Sequence, residues 1–82
     1  MAKQKRKNTE IYEIISYNIK KYRKKKGITQ AQLAELVGVS HEYIRRIESE
    51  KGEKTFTIYT ISEIAKALDV DIRNVFDPND EE

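Results

Sequence analysis

The stretch SHEYIRRIE, from Ser40 to Glu48, gathers the side chains of this sequence best equipped for directional hydrogen bonding. His41, Glu42, Arg45 and Arg46 carry polar groups there, and Ile44 and Ile47 are the apolar members, three apart. An arginine guanidinium can donate two parallel hydrogen bonds to guanine O6 and N7, to a phosphate or to a carboxylate. Glutamate only accepts, so Glu42 can take a cytosine amino proton, orient Arg45 or Arg46, or cap the helix start. His41 can donate to a base or a phosphate. Tyr43 can donate its hydroxyl to a phosphate or pack against the preceding segment. None of this is catalytic equipment. The sequence has no Ser/His/Asp spacing of use and no Gly-rich phosphate loop, and a single His with no Cys cannot build a metal site. We expect no enzyme activity, no metal and no cofactor.

The elements that must position these groups are helical. Apolar residues at Ile11, Ile14, Ile15, Ile19 and Tyr22 mark one face of a helix that starts near Thr9 and runs to Lys26. Asn8 or Thr9 can cap its start, and Gly27 can end it in the left-handed conformation. Thr29-Gln30-Ala31-Gln32 has capping-box spacing, followed by a short buried face of Leu33, Ala34 and Val37. Gly38 stops this second helix and Ser40 can cap the third. Thr57 can cap a fourth helix with Ile58, Ile61, Ile64, Ala65 and Leu68 on one face. Asp71 can cap a short fifth helix bearing Ile72, Val75 and Phe76, with Pro78 beyond it. No alternating β-branched run suggests a strand. The expected fold is all-α, a compact five-helix domain.

Within it, residues 29–48 (TQAQLAELVGVSHEYIRRIE) have the layout of two short helices joined by a Gly-Val-Ser turn. Ala34 must be small where the helices cross, and Gly38 must reach a positive φ. Val39, Ile44 and Ile47 must pin the second helix so that its far side projects. From Ile15 to Phe76 the chain resembles the Cro/repressor-type (XRE-like, lambda-repressor-like) helix-turn-helix family. The likeness is carried by Ile19, Arg23, Gly27-Ile28-Thr29-Gln30, Leu33-Ala34, Gly38-Val39-Ser40, Ile44, Arg46-Ile47-Glu48 and Ile64-Ala65-Lys66-Ala67-Leu68. The loop after Glu48 is longer than the family's usual one and lacks its usual Gly and Pro.

The resemblance implies a DNA-binding regulator whose pair of helices spans about residues 29–50. It implies base contacts from His41, Glu42 and Arg46, with Arg45 beside them free to meet a base or a phosphate. It implies a phosphate contact from Gln30, for which simple helix capping is the plainer alternative, and phosphate contacts from Lys51 and Lys54. Arg23 and Glu48 match the family's structural ion pair.

Charge sharpens the partner. The net charge of +2 conceals ten Lys/Arg against two Glu in residues 1–26 and six Lys/Arg against twelve Asp/Glu in residues 27–82. A basic N-terminal third suits a polyanion. Residues 1–8 (MAKQKRKN) read as a flexible arm whose Lys3, Lys5, Arg6 and Lys7 follow phosphates, enter a minor groove, or serve only solubility. Lys20, Lys21, Lys24 and Lys25 read as solvated helix surface. The domain spans residues 9–77, and residues 78–82 form an acidic tail. No apolar run approaches a membrane span, and we expect a cytoplasmic protein.

The expected partner is double-stranded DNA, bound as a homodimer through the C-terminal helices, with Phe56, Tyr59, Ile72 and Phe76 as candidates for the contact. The expected function is that of a repressor on a palindromic operator, with restriction–modification controllers as a narrower variant. An antitoxin that neutralises a protein partner is the alternative, for which only the acidic tail could serve.

Overall fold

The computed structural model describes residues 8–49 and 56–78. Its five helices are α1 (Asn8–Lys26), α2 (Gln30–Val37), α3 (His41–Glu48), α4 (Ile58–Leu68) and α5 (Ile72–Val75), and no strand occurs among the described residues.

Local chemistry sets most of the boundaries. Gly27 and Gly38 both adopt positive φ, 78° and 88°, where a side chain would be strained. The backbone N–H of Gly38 closes α2 onto Ala34 O at 2.8 Å. Thr29 and Gln32 form the full capping box: Thr29 Oγ1 accepts from Gln32 N, and Gln32 Oε1 accepts from Thr29 N. Ser40 and Thr57 accept from Tyr43 N and Thr60 N, so each supplies one orphan donor at a helix start with a partner. Asp71 caps α5 by accepting from Arg73 N. Asp69, which ends α4 at φ 63°, carries no glycine signal; a short polar side chain tolerates that conformation better than most.

One core unites the helices. Ile15 and Ile19 from α1, Leu33 and Ala34 from α2, Ile44 and Ile47 from α3, Ile61, Ile64, Ala65 and Leu68 from α4 and Val75 from α5 are all buried in it. Full burial of such a side chain stabilises by about 1.5–3 kcal/mol relative to exposure.

Two helix faces differ from expectation. Ile58, which periodicity places on the packed face of α4, is 66% exposed, because it occupies the first helical position, beyond the part of α4 that its neighbours cover. Ile11 is exposed and Ile14 half-buried, so the covered part of α1 begins at Ile15.

The buried face of α1 also contains polar residues that apolar periodicity misses. Ser16 and Asn18 are buried. Ser16 Oγ donates to Ile47 O at 2.5 Å and so satisfies a carbonyl in the last turn of α3. Asn18 Nδ2 lies within hydrogen-bonding distance of three carbonyls at and just after the end of α5: Val75 O at 2.8 Å, Asp77 O at 3.0 Å and Asn74 O at 3.2 Å. A polar residue between apolar ones on one helix face was the available sign of both.

Candidate nucleic-acid interface

Helix α3 is held from below and open above. Ile44 and Ile47 are buried at 0% and 2% exposure, while His41, Glu42, Arg45 and Arg46 are exposed. Eight residues with two buried apolar anchors leave a polar outer face of about two turns. A helix of that width fits the major groove of B-DNA, about 12 Å across.

The exposed groups are in different states. Glu42 and Arg45, one turn apart, form an ion pair. The hydrogen bond from Arg45, and then its charge, hold the Glu42 carboxyl below the ordinary carboxylate range, with smaller help from Arg46 and His41. A carboxylate committed to Arg45 offers less repulsion to a nearby phosphate. It also turns Arg45 into a partner that must be released or reoriented before it can grip a base. Arg46 is exposed and makes no side-chain hydrogen bond or ion pair among the described residues. Tyr43 is half-buried against the core, which favours packing as the role of its ring and leaves its hydroxyl free to serve otherwise.

Beneath this face lies a buried polar assembly. Arg23 from α1 donates to Glu48 at the end of α3 through two bonds, Nε to Oε2 at 2.7 Å and Nη2 to Oε1 at 3.0 Å. Its third bond, from Nη1 to Ile28 O at 2.8 Å, holds the turn before α2. Both side chains are buried, at 10% and 2% exposure. The assembly continues outward. Gln30 Nε2 donates to Glu48 Oε1 at 3.0 Å, and Gln30 Oε1 faces His41 Nε2 at 3.3 Å. So α1, α2 and α3 are joined by one chain of side chains running from a buried guanidinium to the first residue of the exposed helix. Gln30 is only partly covered, and its amide has a second N–H that Glu48 does not occupy.

Of the expected phosphate contacts, Gln30 lies beside α3 and Tyr43 lies on it. Lys51, Lys54, Lys3, Lys5, Arg6 and Lys7 lie outside the described residues. Lys20, Lys24 and Lys25 are exposed on α1. Lys21 sits over the Tyr22 ring, 5.0 Å from its centroid, and 5.9 Å from that of Tyr17. No group of three potential metal ligands occurs among the described residues. None of the described helices is long and apolar enough to cross a membrane.

The four residues expected at a dimer contact are not equally available. Phe56 packs edge-on against Tyr12, centroids 5.3 Å apart at 78°. Ile72 and Phe76 are half-buried against the core. Tyr59 is 73% exposed, beside the exposed Ile58.

Known proteins are similar to this chain in sequence and in fold. The chain is 35% identical over 63 residues to the control protein C.SmaI of Serratia marcescens, covering 77% of this chain and 73% of that one. It is 32% identical over 68 residues to the HTH-type transcriptional regulator SinR of Bacillus subtilis, covering 83% of this chain and 60% of the longer SinR. Among solved structures, the restriction-modification controller protein C.AhdI of Aeromonas hydrophila superposes with a TM-score of 0.72 at 26% identity, over 79% of this chain and 96% of that one. The sequence pattern of the helix-turn-helix family matches residues 19–74, which contain α2, α3, the buried Arg23–Glu48 pair and α4. With that match added to the pinned, outward-facing α3, the chain belongs to the helix-turn-helix family of DNA-binding transcription regulators.

Proposed function

We propose that this protein is a cytoplasmic repressor that places α3 in the major groove of a palindromic operator and binds it as a homodimer. The observation that carries the reading is the state of α3: two isoleucines are buried beneath it, and Arg46 is exposed and unpaired among the described residues. In the proposed complex Arg46 donates to guanine O6 and N7. His41, Glu42 and Arg45 complete the base-reading face, with the Glu42–Arg45 pair opening on contact or acting as one unit. Gln30 uses its second amide N–H on a phosphate at the start of α2, where the helix dipole already favours an anion. Arg23 and Glu48 hold α1 and α3 at a fixed angle.

A single eight-residue helix touches few base pairs, so specificity calls for a second copy. Half-sites would lie about one helical turn, roughly 34 Å, apart. Exposed Tyr59 and Ile58, with the outer edges of Ile72 and Phe76, supply the apolar surface for that dimer. The basic arm, residues 1–8, adds phosphate contacts without base preference. The domain proper is residues 9–77. Likeness to C.SmaI and C.AhdI supports the narrower class of restriction–modification controller. The antitoxin reading rested on the acidic tail, most of which lies outside the described residues, and no observation favours it.

Binding-site selection on random duplex DNA, at a stated salt concentration, tests the reading directly. The expected product is a palindrome with one guanine per half-site that Arg46→Ala no longer selects, a loss of about 1–3 kcal/mol of discrimination at that pair. Uniform weakening on every sequence would remove Arg46 from base reading. Binding that stays monomeric on the selected palindrome would remove the dimer.

A further inference from the structure

The lysines of α1 and the end of the described chain meet at one tyrosine. Tyr17, Lys20, Lys21, Lys24 and Lys25 line an open groove on α1. Tyr17, Lys20, Lys21 and Lys24 recur at three- and four-residue spacing, on the side of the helix opposite the buried Ile15, Ile19 and Arg23. Tyr17, 61% exposed, also lines a second groove with Glu13, Ile14, Asn18 and Pro78. Asn18 Nδ2 donates to Asp77 O at 3.0 Å, which sets Pro78 there. Lys21 Nζ stands over the Tyr17 ring, 5.9 Å from its centroid. Residues 79–82, Asn-Asp-Glu-Glu, lie outside the described residues and follow directly from Pro78.

We propose that Asp80, Glu81 and Glu82 dock on the lysine row of α1 and act there as an internal competitor for polyanions. Charge and reach support that occupant. The segment brings three carboxylates, beside that of Asp77, to a row of four ammonium groups. Four extended residues span roughly 13 Å, and Lys24 lies about 10 Å along the helix axis from Tyr17. A tether this short keeps the carboxylates at an effective concentration in about the mM range. Duplex DNA must compete with them for the same ammonium groups. Each exposed pair is weak and screened by salt, so the docked segment exchanges and can be displaced. The row is then a shielded surface, its attraction for polyanions set by the chain's own carboxylates. Neither the docking nor the competition depends on base reading by α3.

The chain has no cysteine, so Glu82→Cys carries a single spin label. At low salt and low protein concentration, we expect the label to broaden the amide resonances of residues 20–25 in the free protein. The broadening should retreat to the residues around Tyr17 as salt rises, and also in Lys20→Gln/Lys24→Gln, where both altered side chains are exposed and the core is untouched. Broadening centred on Tyr17 in all three samples overturns the docking. Broadening that passes between a spin-labelled and an isotope-labelled chain, and not within one, gives the row to a second copy and overturns it too. Competition is read on duplex DNA of random sequence. Asp80→Asn/Glu81→Gln/Glu82→Gln should bind it about fivefold more tightly than the wild type at low salt. In the Lys20→Gln/Lys24→Gln background the same three changes should gain less than about twofold, because most of the row they shield is gone. An equal gain in both backgrounds marks a general charge effect and overturns the competitor role, leaving the lysine row to DNA phosphates alone.

Discussion

The two ends of the molecule are secured differently. At the end bearing α2 and α3, charged and polar side chains are buried in series: Arg23, Glu48 and the partly covered Gln30, with Ser16 on Ile47 O nearby. At the other end α5 is one turn long and contributes a single buried side chain, Val75, and one neutral residue, Asn18, grips the carbonyls that follow from Asn74. A buried ion pair contributes little net stability compared with apolar residues of the same shape, because desolvation offsets most of the attraction. What it supplies is direction: the bidentate geometry permits one angle between α1 and α3. We read the first end as built for orientation and the second as built for closure of the core.

Removing one member of the pair tests that contrast most severely. Glu48→Ala leaves a guanidinium stranded among apolar neighbours and should destabilise the fold by about 3–5 kcal/mol. The loss would be read as a lower midpoint in thermal or urea unfolding, with DNA affinity falling further than the unfolded fraction accounts for. A chain of this length has a thin stability margin, so a change of that size is plainly visible. If Glu48→Ala unfolds like the wild type, the pair is not the strut described. A joint replacement of Arg23 and Glu48 by apolar residues sharpens the point. It should recover stability without recovering affinity, because the packing is restored and the directional constraint is not.

At the closure end the corresponding change is Asn18→Ala. It frees the buried carbonyl of Val75 and the part-buried ones of Asn74 and Asp77 from their donor, at a cost of about 1–3 kcal/mol. The expected signature is local: amide exchange in residues 72–77 accelerates, and the α2–α3 end keeps its protection. Equal acceleration at both ends would show that the two regions share one cooperative unit and would erase the distinction drawn between them.

How far the sequence anticipates this division depends on the kind of interaction. Caps and stops are local, so Thr29, Ser40, Thr57 and Asp71 as N-caps, and Gly27 and Gly38 at positive φ, are legible from residue type and spacing. Ile44 and Ile47 as the buried pair of a polar helix are legible for the same reason. The Arg23–Glu48 pair spans 25 residues and follows only from family resemblance, since nothing local in either residue names its partner. Asn18 and Ser16 stay hidden because hydrophobic periodicity counts apolar positions and passes over a polar residue on the same face. Ile58 misleads for the opposite reason: periodicity identifies the face of a helix, not how far along it a neighbour reaches.

The smallest expected effect concerns the cap of α5. Asp71 accepts from the Arg73 side chain at 3.0 and 2.8 Å and from Arg73 N at 2.9 Å, and these bonds, the side-chain ones foremost, bring its carboxyl down to about 2. A carboxyl depressed in the folded state adds stability above its unfolded value, near 3.8, and that contribution fades as pH falls toward about 2. Asp71 is well exposed, so solvent screens the pair and the effect is slight. Wild type should therefore lose a small increment of stability between about pH 4 and pH 2 that Asp71→Asn, able to cap but not to ionise, does not lose. The loss should appear first as faster exchange in residues 72–77, leaving the Arg23–Glu48 end unmoved. Were the acid-induced opening to start at α3 instead, the polar strut rather than the α5 cap would be the part of this fold that yields first to protons.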